Sequence, residues 1–204
     1  MTDQASLRRH DQKSTEILLA VWRVIAERGI SGVTIRAVAA RAGVSVGRVQ
    51  HYFATKDELI RASADLMISA AESIHTEATA ATGPAAELWD LLTHPIPHAS
   101  ASPTGTAVFY SFVADSVRDP QIAAILASAK SGAAERAAAL LAQLDPDLPD
   151  PDAAGRELIA VSDGATLGTL IGSLNPDQAR AVIGSAISRI IGEDVIGAGS
   201  QHLA

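Results

Sequence analysis

Residues 34–53 constrain the fold more than any other part of this 204-residue chain. Thr34 can act as an N-cap, and Gly43 stands where a left-handed residue ends a helix most easily. Between them, apolar side chains recur at the spacing of one buried helix face, at Ile35, Val38, Ala39 and Ala42. The pattern predicts a short helix that ends at a glycine turn.

A second short helix is expected almost at once, because Ser45 can serve as another N-cap. The helix is expected to turn Val49 and Phe53 inward, together with Val46 at its start. Two short helices joined by a three- or four-residue turn that contains glycine form a helix-turn-helix, whose second helix can enter a DNA major groove. The spacing therefore predicts a DNA-binding motif, although a solvated helix pair would show the same pattern.

The remaining face of the second helix carries small, cationic and hydrogen-bonding residues, which suit contact with phosphates and base edges. Residues 55–58 then form a capping box that starts a third helix. Lys56 lies in the first turn of that helix, where a cation is unfavourable because it opposes the helix dipole. A contact between Lys56 and a DNA phosphate would explain why a lysine stands there. The predicted DNA-contacting residues are Thr34, Arg36, Ser45, Val46, Gly47, Arg48, Gln50, His51, Tyr52 and Lys56.

The same stretch closely resembles the helix-turn-helix of the TetR-type transcriptional regulators, in the run T-I-R-x-V-A-x-R-A-G-V-S-x-G-x-V-x-x-Y-F-x-x-K-x-x-L. The resemblance extends from the helix before Gly29 through Leu59. It implies a homodimeric regulator, most often a repressor that a small-molecule effector releases from a palindromic operator of double-stranded DNA. Gln50 replaces the family's usual Tyr, so no operator sequence carries over. Tyr52 stands in place of His and could still reach a phosphate.

Composition predicts an all-α protein of about nine helices. Alanine is abundant, 48% of residues are hydrophobic and only 3% are aromatic, which favours helices over sheets. The chain has no cysteine, so disulfide and thiolate chemistry are not expected. Its first residues lack the apolar core of a signal peptide, and we therefore expect a cytoplasmic protein.

Charge is segregated along the chain and supports two domains. Residues 1–60 carry nine Lys/Arg and six Asp/Glu, whereas residues 61–204 carry seven and seventeen. We expect residues 1–60 to form a helix-turn-helix DNA-binding domain with its recognition helix at about 45–52. Residues 61–204 are expected to form a helical ligand-binding and dimerisation domain, which its negative charge keeps away from DNA.

The aromatic residues after position 60 cluster in one part of the chain. A small-molecule pocket needs aromatic walls and a few polar groups, and core packing is the alternative use of such residues. We predict that an effector of unknown identity binds there. The predicted pocket residues are Trp89, Phe109, Tyr110 and Phe112.

The two last predicted helices have wide apolar faces, and one carries small residues at every fourth position. Each helical glycine is about 1 kcal/mol less favourable than alanine, so close packing of another helix should compensate. Asp163 and the short apolar length argue against a membrane span. A four-helix bundle of two copies is expected, with Ala160, Gly164, Gly168, Gly172, Ile183 and Ile187 in the dimer interface. Residues 158–164 also resemble the betaine-regulator-like (BetI-like) branch of the family.

Parts of the sequence also suggest three other functions. Residues 43–47 fit the G-x-S-x-G nucleophile elbow, but that motif follows a strand and here a helix precedes it, so we expect no enzyme. His94 and His98 have no evident third ligand and lie in a proline-rich loop, so we expect no metal site, and no motif calls for a cofactor. A helical scaffold or partner-binding protein without DNA activity stays an alternative.

Overall fold

The computed structural model describes the backbone of residues 2–79, 83–96 and 104–192, and the side chains of residues 12–73, 83–96 and 105–192. Within these ranges the chain forms nine α-helices and a short 3-10 turn, and no strand. The prediction of an all-α fold is confirmed. The helices are α1 (Thr2–Arg28), α2 (Ile35–Ala42), α3 (Val46–Tyr52), α4 (Lys56–Thr79), α5 (Pro84–Thr93), α6 (Thr104–Ser116), α7 (Pro120–Leu144), α8 (Pro151–Leu170) and α9 (Pro176–Ile191), with the 3-10 turn at Ile30–Gly32.

Proline and capping residues explain where the later helices begin. α5, α8 and α9 each have proline in the first positions, where its missing N–H is not needed. The Asp150 carboxylate accepts the Ala153 N–H at 2.9 Å at the start of α8. Asn175 forms a capping box with Gln178 at the start of α9, with both hydrogen bonds at 2.9 Å. These local signals define helix ends without long-range contacts.

The chain packs as two compact units. The first unit consists of Met1–Ala70 and Ala107–Leu126, and the second consists of Ala71–Thr106 and Ala127–Ala204. These units are defined by packing and not by activity. The predicted functional boundary between residues 60 and 61 therefore stays a prediction.

The core of the first unit includes residues from the sequence-distant α6 and α7 as well as from α1 to α4. Inward side chains of α1, α2 and α3 pack with Leu59 and Ile60 of α4. Phe112 of α6 and Ile122 of α7 are buried in the same cluster. Trp22 packs against this cluster and donates its Nε1–H to the Ser63 carbonyl at 2.9 Å. The helix-turn-helix thus rests on a core that the first 60 residues do not complete.

The core of the second unit is built from α5, α7, α8 and α9. Leu92, Leu141, Leu158 and Ile183 are fully buried in it. α7 and α8 approach each other closely at Gly155, where a Cβ would lie 2.5 Å from the Ala134 carbonyl oxygen of α7. A side chain at this position would therefore force α7 and α8 to shift apart.

The predicted glycine stripe of α8 is only partly helical. Gly172 lies beyond the end of the helix with φ of 77°, so it ends the helix instead of packing against another one. Gly168 faces Leu174 and Ser173 of the following turn, at 2.9 and 3.3 Å from the position of a Cβ. The residue that gives close approach of a neighbouring helix is Gly155, which the four-residue repeat did not include.

Candidate nucleic-acid interface

The turn between α2 and α3 has the geometry that its sequence predicts. The Thr34 hydroxyl accepts the Ala37 N–H at 3.0 Å and caps α2. Gly43 ends that helix in the left-handed conformation, with φ of 67° and ψ of 31°. Val44 then donates its N–H to the Ala39 carbonyl at 3.0 Å, which closes the turn. The predicted caps of α2 are confirmed.

Ser45 caps α3 and Val49 anchors it. The Ser45 hydroxyl accepts the Arg48 N–H at 3.1 Å, while Val49 is 0% exposed in the core of the first unit. Phe53 is also buried at the end of the helix. The inward position predicted for Val46 is wrong, because its side chain is 40% exposed. As the first residue of α3 it is not covered by the core, and it is exposed together with the other predicted contact residues of that helix.

The outer edge of α3 presents mostly polar side chains that the core does not use. Ser45, Val46, Gly47, Arg48, Gln50 and His51 are all exposed. Tyr52 is half-buried, and its ring lies between those of His51 and Phe53 at centroid distances of 5.4 and 6.3 Å. Tyr52 is therefore held by packing between two rings, whereas the other side chains of this edge are open to solvent.

Three more predicted contact residues flank this edge. Thr34 and Arg36 are exposed at the start of α2, and Lys56 is half-buried in the first turn of α4. Because the Thr34 and Ser45 hydroxyls only accept in their capping bonds, each keeps a hydrogen that could be donated to a phosphate. Capping and phosphate contact are therefore compatible at both positions.

The start of α4 differs in one detail from the predicted capping box. The Thr55 hydroxyl accepts the Glu58 N–H at 3.1 Å as expected. The Glu58 carboxylate, however, accepts the N–H of Ala54 at 2.8 Å, one residue before the cap. The Glu58 side chain is long enough to reach past Thr55 to the N–H of Ala54. The bond therefore still satisfies a backbone donor, although not that of the N-cap residue.

Cations near the edge differ in whether an acid pairs with them. Arg41 forms an ion pair with Glu27 at 2.8 Å, which joins α2 to α1. Among the described side chains, neither Arg48 nor Lys56 has an acidic partner within ion-pair distance. Their positive charge is available to a polyanion.

An ion pair that the sequence did not suggest joins α4 to the start of α7. The Arg61 Nε donates to Asp119 Oδ2 at 2.8 Å, and Asp119 Oδ1 accepts the Gln121 N–H at 2.9 Å. The hydrogen bond from Arg61 holds the pKa of Asp119 below its usual value. No local pattern reveals this contact, because its two residues lie 58 positions apart.

The predicted pocket residues fall into different units. Phe109, Tyr110 and Phe112 belong to the first unit, and Trp89 belongs to the second. Phe112 is fully buried in the core, and the Phe109 ring meets Tyr110 edge to face at a centroid distance of 5.6 Å. Trp89 packs against the second core. Core packing thus accounts for part of this aromatic cluster, and the pocket stays a prediction.

The predicted dimer residues include both buried and exposed positions. Ile183 and Ile187 are buried within the second unit of the same chain. Ala160 and Gly164 are exposed on α8, where Leu167 and Ile171 continue the same face and are 42% and 69% exposed. The apolar positions of this face recur at the period of one helix face. We call these four residues the outer face of α8.

The nucleophile-elbow motif and one of the two histidines lie within the described residues. Residues 43–47 comprise the turn after α2 and the first two residues of α3, and the Ser45 hydroxyl is an N-cap, so the strand that a nucleophile elbow needs does not precede them. His94 follows α5, whereas His98 lies outside the described residues. The described helices include none that is long and apolar enough to cross a membrane.

Two family models match separate parts of the chain and together cover most of it. The family model described as bacterial regulatory proteins, tetR family, matches residues 17–63. The model described as tetracyclin repressor-like, C-terminal domain, matches residues 83–193.

The similar proteins include two curated regulators and one solved structure. The HTH-type transcriptional regulator PksA of Bacillus subtilis (strain 168) is 47% identical over 51 residues, which is 25% of this chain and only 25% of that relative's length. The HTH-type transcriptional regulator BetI of Stenotrophomonas maltophilia (strain R551-3) is 28% identical over 173 residues, 82% of this chain and 87% of that protein. The crystal structure of a transcriptional regulator from Rhodococcus sp. Rha1 superposes with a TM-score of 0.77 at 25% identity, over 87% of this chain and 95% of the other.

Proposed function

This chain belongs to the tetR family of bacterial regulatory proteins, and on that premise we propose that it represses transcription from a palindromic operator until a small molecule releases it. Members of the family are DNA-binding transcriptional regulators and not enzymes. Repression and release by an effector are typical of the family. A DNA partner also supports our expectation that the protein acts in the cytoplasm.

The exposed edge of α3 is the proposed DNA-reading surface. The observation that carries the proposal is the pair of capped helices with a left-handed Gly43 between them, which holds Val49 inward and Arg48 outward. An arginine without an acidic partner can bond a guanine edge or a phosphate. Thr34, Arg36 and Lys56 flank that edge and would position it on the backbone of the duplex.

A homodimer is proposed because a palindrome needs two copies of α3 related by a two-fold axis. We assign the subunit contact to the outer face of α8, together with the exposed Val182 of α9. These side chains are apolar and accessible, as the buried centre of an obligate interface requires. Ile183 and Ile187 are left out of the proposed contact because the chain's own core already encloses them.

The effector is proposed to be a small molecule whose binding opposes operator binding. Linkage requires each ligand to weaken the binding of the other by the same factor. The corresponding coupling free energy is of the order of 1–3 kcal/mol. α4 follows the helix-turn-helix directly and is 24 residues long. A change in its tilt would therefore displace α3. Phe109 and Tyr110 remain the proposed contacts of the effector, since neither is fully buried.

Selection of DNA by the purified protein tests the proposal. Fragments of the source genome that the protein retains at moderate salt should share a palindrome, and an affinity series in salt should fall steeply because phosphate contacts release counterions. Lys56→Ala should lower the affinity for all duplexes alike and reduce the salt slope by about one. A protein that retains no duplex at low ionic strength would refute the proposed function.

A further inference from the structure

The described residues give no packing or backbone reason for a glycine at position 47. It is the second residue of α3 and has an ordinary helical backbone, unlike Gly43, whose φ is 67°. Among the described residues, no heavy atom lies within 4 Å of the place where its Cβ would be. Glycine is the least favourable helix residue after proline. An alanine would fit at position 47 and should stabilise α3.

Gly47 also lies on the part of α3 that points furthest from the core. Successive residues of a helix are rotated by about 100°, and the buried Val49 defines the inward direction. Gly47 and His51 are one turn apart, and each is then about 160° from Val49. Arg48 and Gln50 lie about 100° to either side of Val49. Gly47 and His51 therefore form the outermost ridge, and Arg48 and Gln50 form its two flanks.

A missing side chain on this ridge has a physical meaning if α3 lies in a DNA groove. Glycine is favoured where a backbone must approach a ligand closely, and the side chains on the ridge decide how deeply a helix can enter the major groove. We propose that Gly47 is the point of closest contact between α3 and duplex DNA, and that its missing Cβ sets the depth at which Arg48 and Gln50 reach base edges. This inference rests on the proposed DNA-reading surface.

The proposal separates two kinds of DNA contact. Lys56 and Arg36 flank the edge and would contact phosphates, which attracts the protein to any duplex. Base readout by Arg48 and Gln50 needs bonding distance to the groove floor. A methyl group at position 47 would hold α3 away from that floor, so it should remove sequence preference and leave general DNA affinity in place.

Gly132 provides a matched control. It lies within α7, is exposed, and likewise has no heavy atom within 4 Å of its Cβ position among the described residues. It is far in sequence from the proposed DNA-reading surface. Replacement of either glycine by alanine should stabilise its helix through the same backbone effect.

The experiment uses the full-length protein and two duplexes. The wild type first enriches a duplex from a random-sequence library, and a scrambled duplex of the same length serves as the comparison. Gly47→Ala and Gly132→Ala should each raise Tm by about 2–4 °C. Gly47→Ala should bind the enriched duplex about tenfold more weakly or worse and the scrambled duplex within about twofold of wild type. Gly132→Ala should bind both duplexes as the wild type does.

Several outcomes would overturn the inference. If Gly47→Ala binds the enriched duplex as tightly as the wild type, the contact is excluded while the proposed DNA-reading surface stands. A lower Tm for Gly47→Ala would show that the glycine serves the fold. An equal loss on both duplexes would exclude a role in groove depth. A wild type that enriches no duplex would refute the DNA-reading surface itself and the inference with it.

Discussion

The edge of α3 and the outer face of α8 are both exposed surfaces, but they differ in chemistry. The edge of α3 offers a cation, an amide and hydroxyl groups around a glycine, whereas the outer face of α8 offers Leu167 and Ile171 beside small residues. Water solvates the first surface well and the second poorly. Exposure alone therefore says little about which partner a surface binds. The polarity of the exposed atoms is more informative, because a polar, cationic surface suits a polyanion and an apolar surface suits a second copy of the chain.

The largest expected effect is on assembly. Changing both Leu167 and Ile171 to Asp should weaken the dimer by about 100-fold, because charges would be buried without partners in the proposed contact. Sedimentation analysis would measure the dissociation constant. Val117→Asp is the control, since Val117 is 88% exposed at the end of α6 and lies outside the proposed contact. An unchanged dimer in the double variant would remove the outer face of α8 from the interface.

A substitution on α3 should have the opposite result, a loss of DNA affinity with the dimer unchanged. Arg48→Ala should lower affinity for the selected operator by about 30-fold through loss of one base or phosphate contact, and should leave the dimer intact. Arg118→Ala removes an exposed arginine outside the predicted contact residues and should have little effect. Fluorescence anisotropy would measure both affinities. Equal affinities for wild type and Arg48→Ala would take Arg48 off the contact surface.

A third change tests whether a glycine of α8 serves packing, in contrast to Gly47. Gly155→Ala should destabilise the fold by about 1–3 kcal/mol, because the new Cβ would overlap the Ala134 carbonyl oxygen. Urea unfolding would measure the change, with Gly132→Ala as a glycine substitution in open space. Stability equal to that of the wild type would mean that α7 and α8 move apart at little cost.

The smallest effect concerns the ion pair of the first unit. Asp119→Asn keeps a capping oxygen for the Gln121 N–H but removes the charge opposite Arg61. Since Arg61 lowers the pKa of Asp119, the pair stabilises the folded state above the unfolded pKa of about 3.9 and is lost as pH falls through the lower folded value. The Tm of Asp119→Asn should therefore be slightly below that of wild type at pH 7, and the two should begin to converge at pH of about 4 and become equal only below the lowered pKa of the folded state. A difference that persists at low pH would exclude the charge as its cause.

The helix-turn-helix and the later helices were predictable to different degrees. Thr34, Gly43 and Ser45 act on backbone groups within a few residues of themselves, so their roles follow from sequence spacing. Helix ends marked by proline, such as the starts of α7, α8 and α9, follow for the same reason. The repeat of small residues in α8 was misleading, because it ignored where the helix ends.

The helices, their caps, the turn at Gly43 and the polar character of the α3 edge are encoded locally, because each depends on neighbours within about one helical turn. Long-range packing, in contrast, brings Gly155 and not Gly168 against another helix, turns Ile183 toward the chain's own core, and pairs Asp119 with Arg61. Those outcomes depend on which faces of distant helices are brought together. The periodicity of a helix shows that a face will be covered but not which surface covers it.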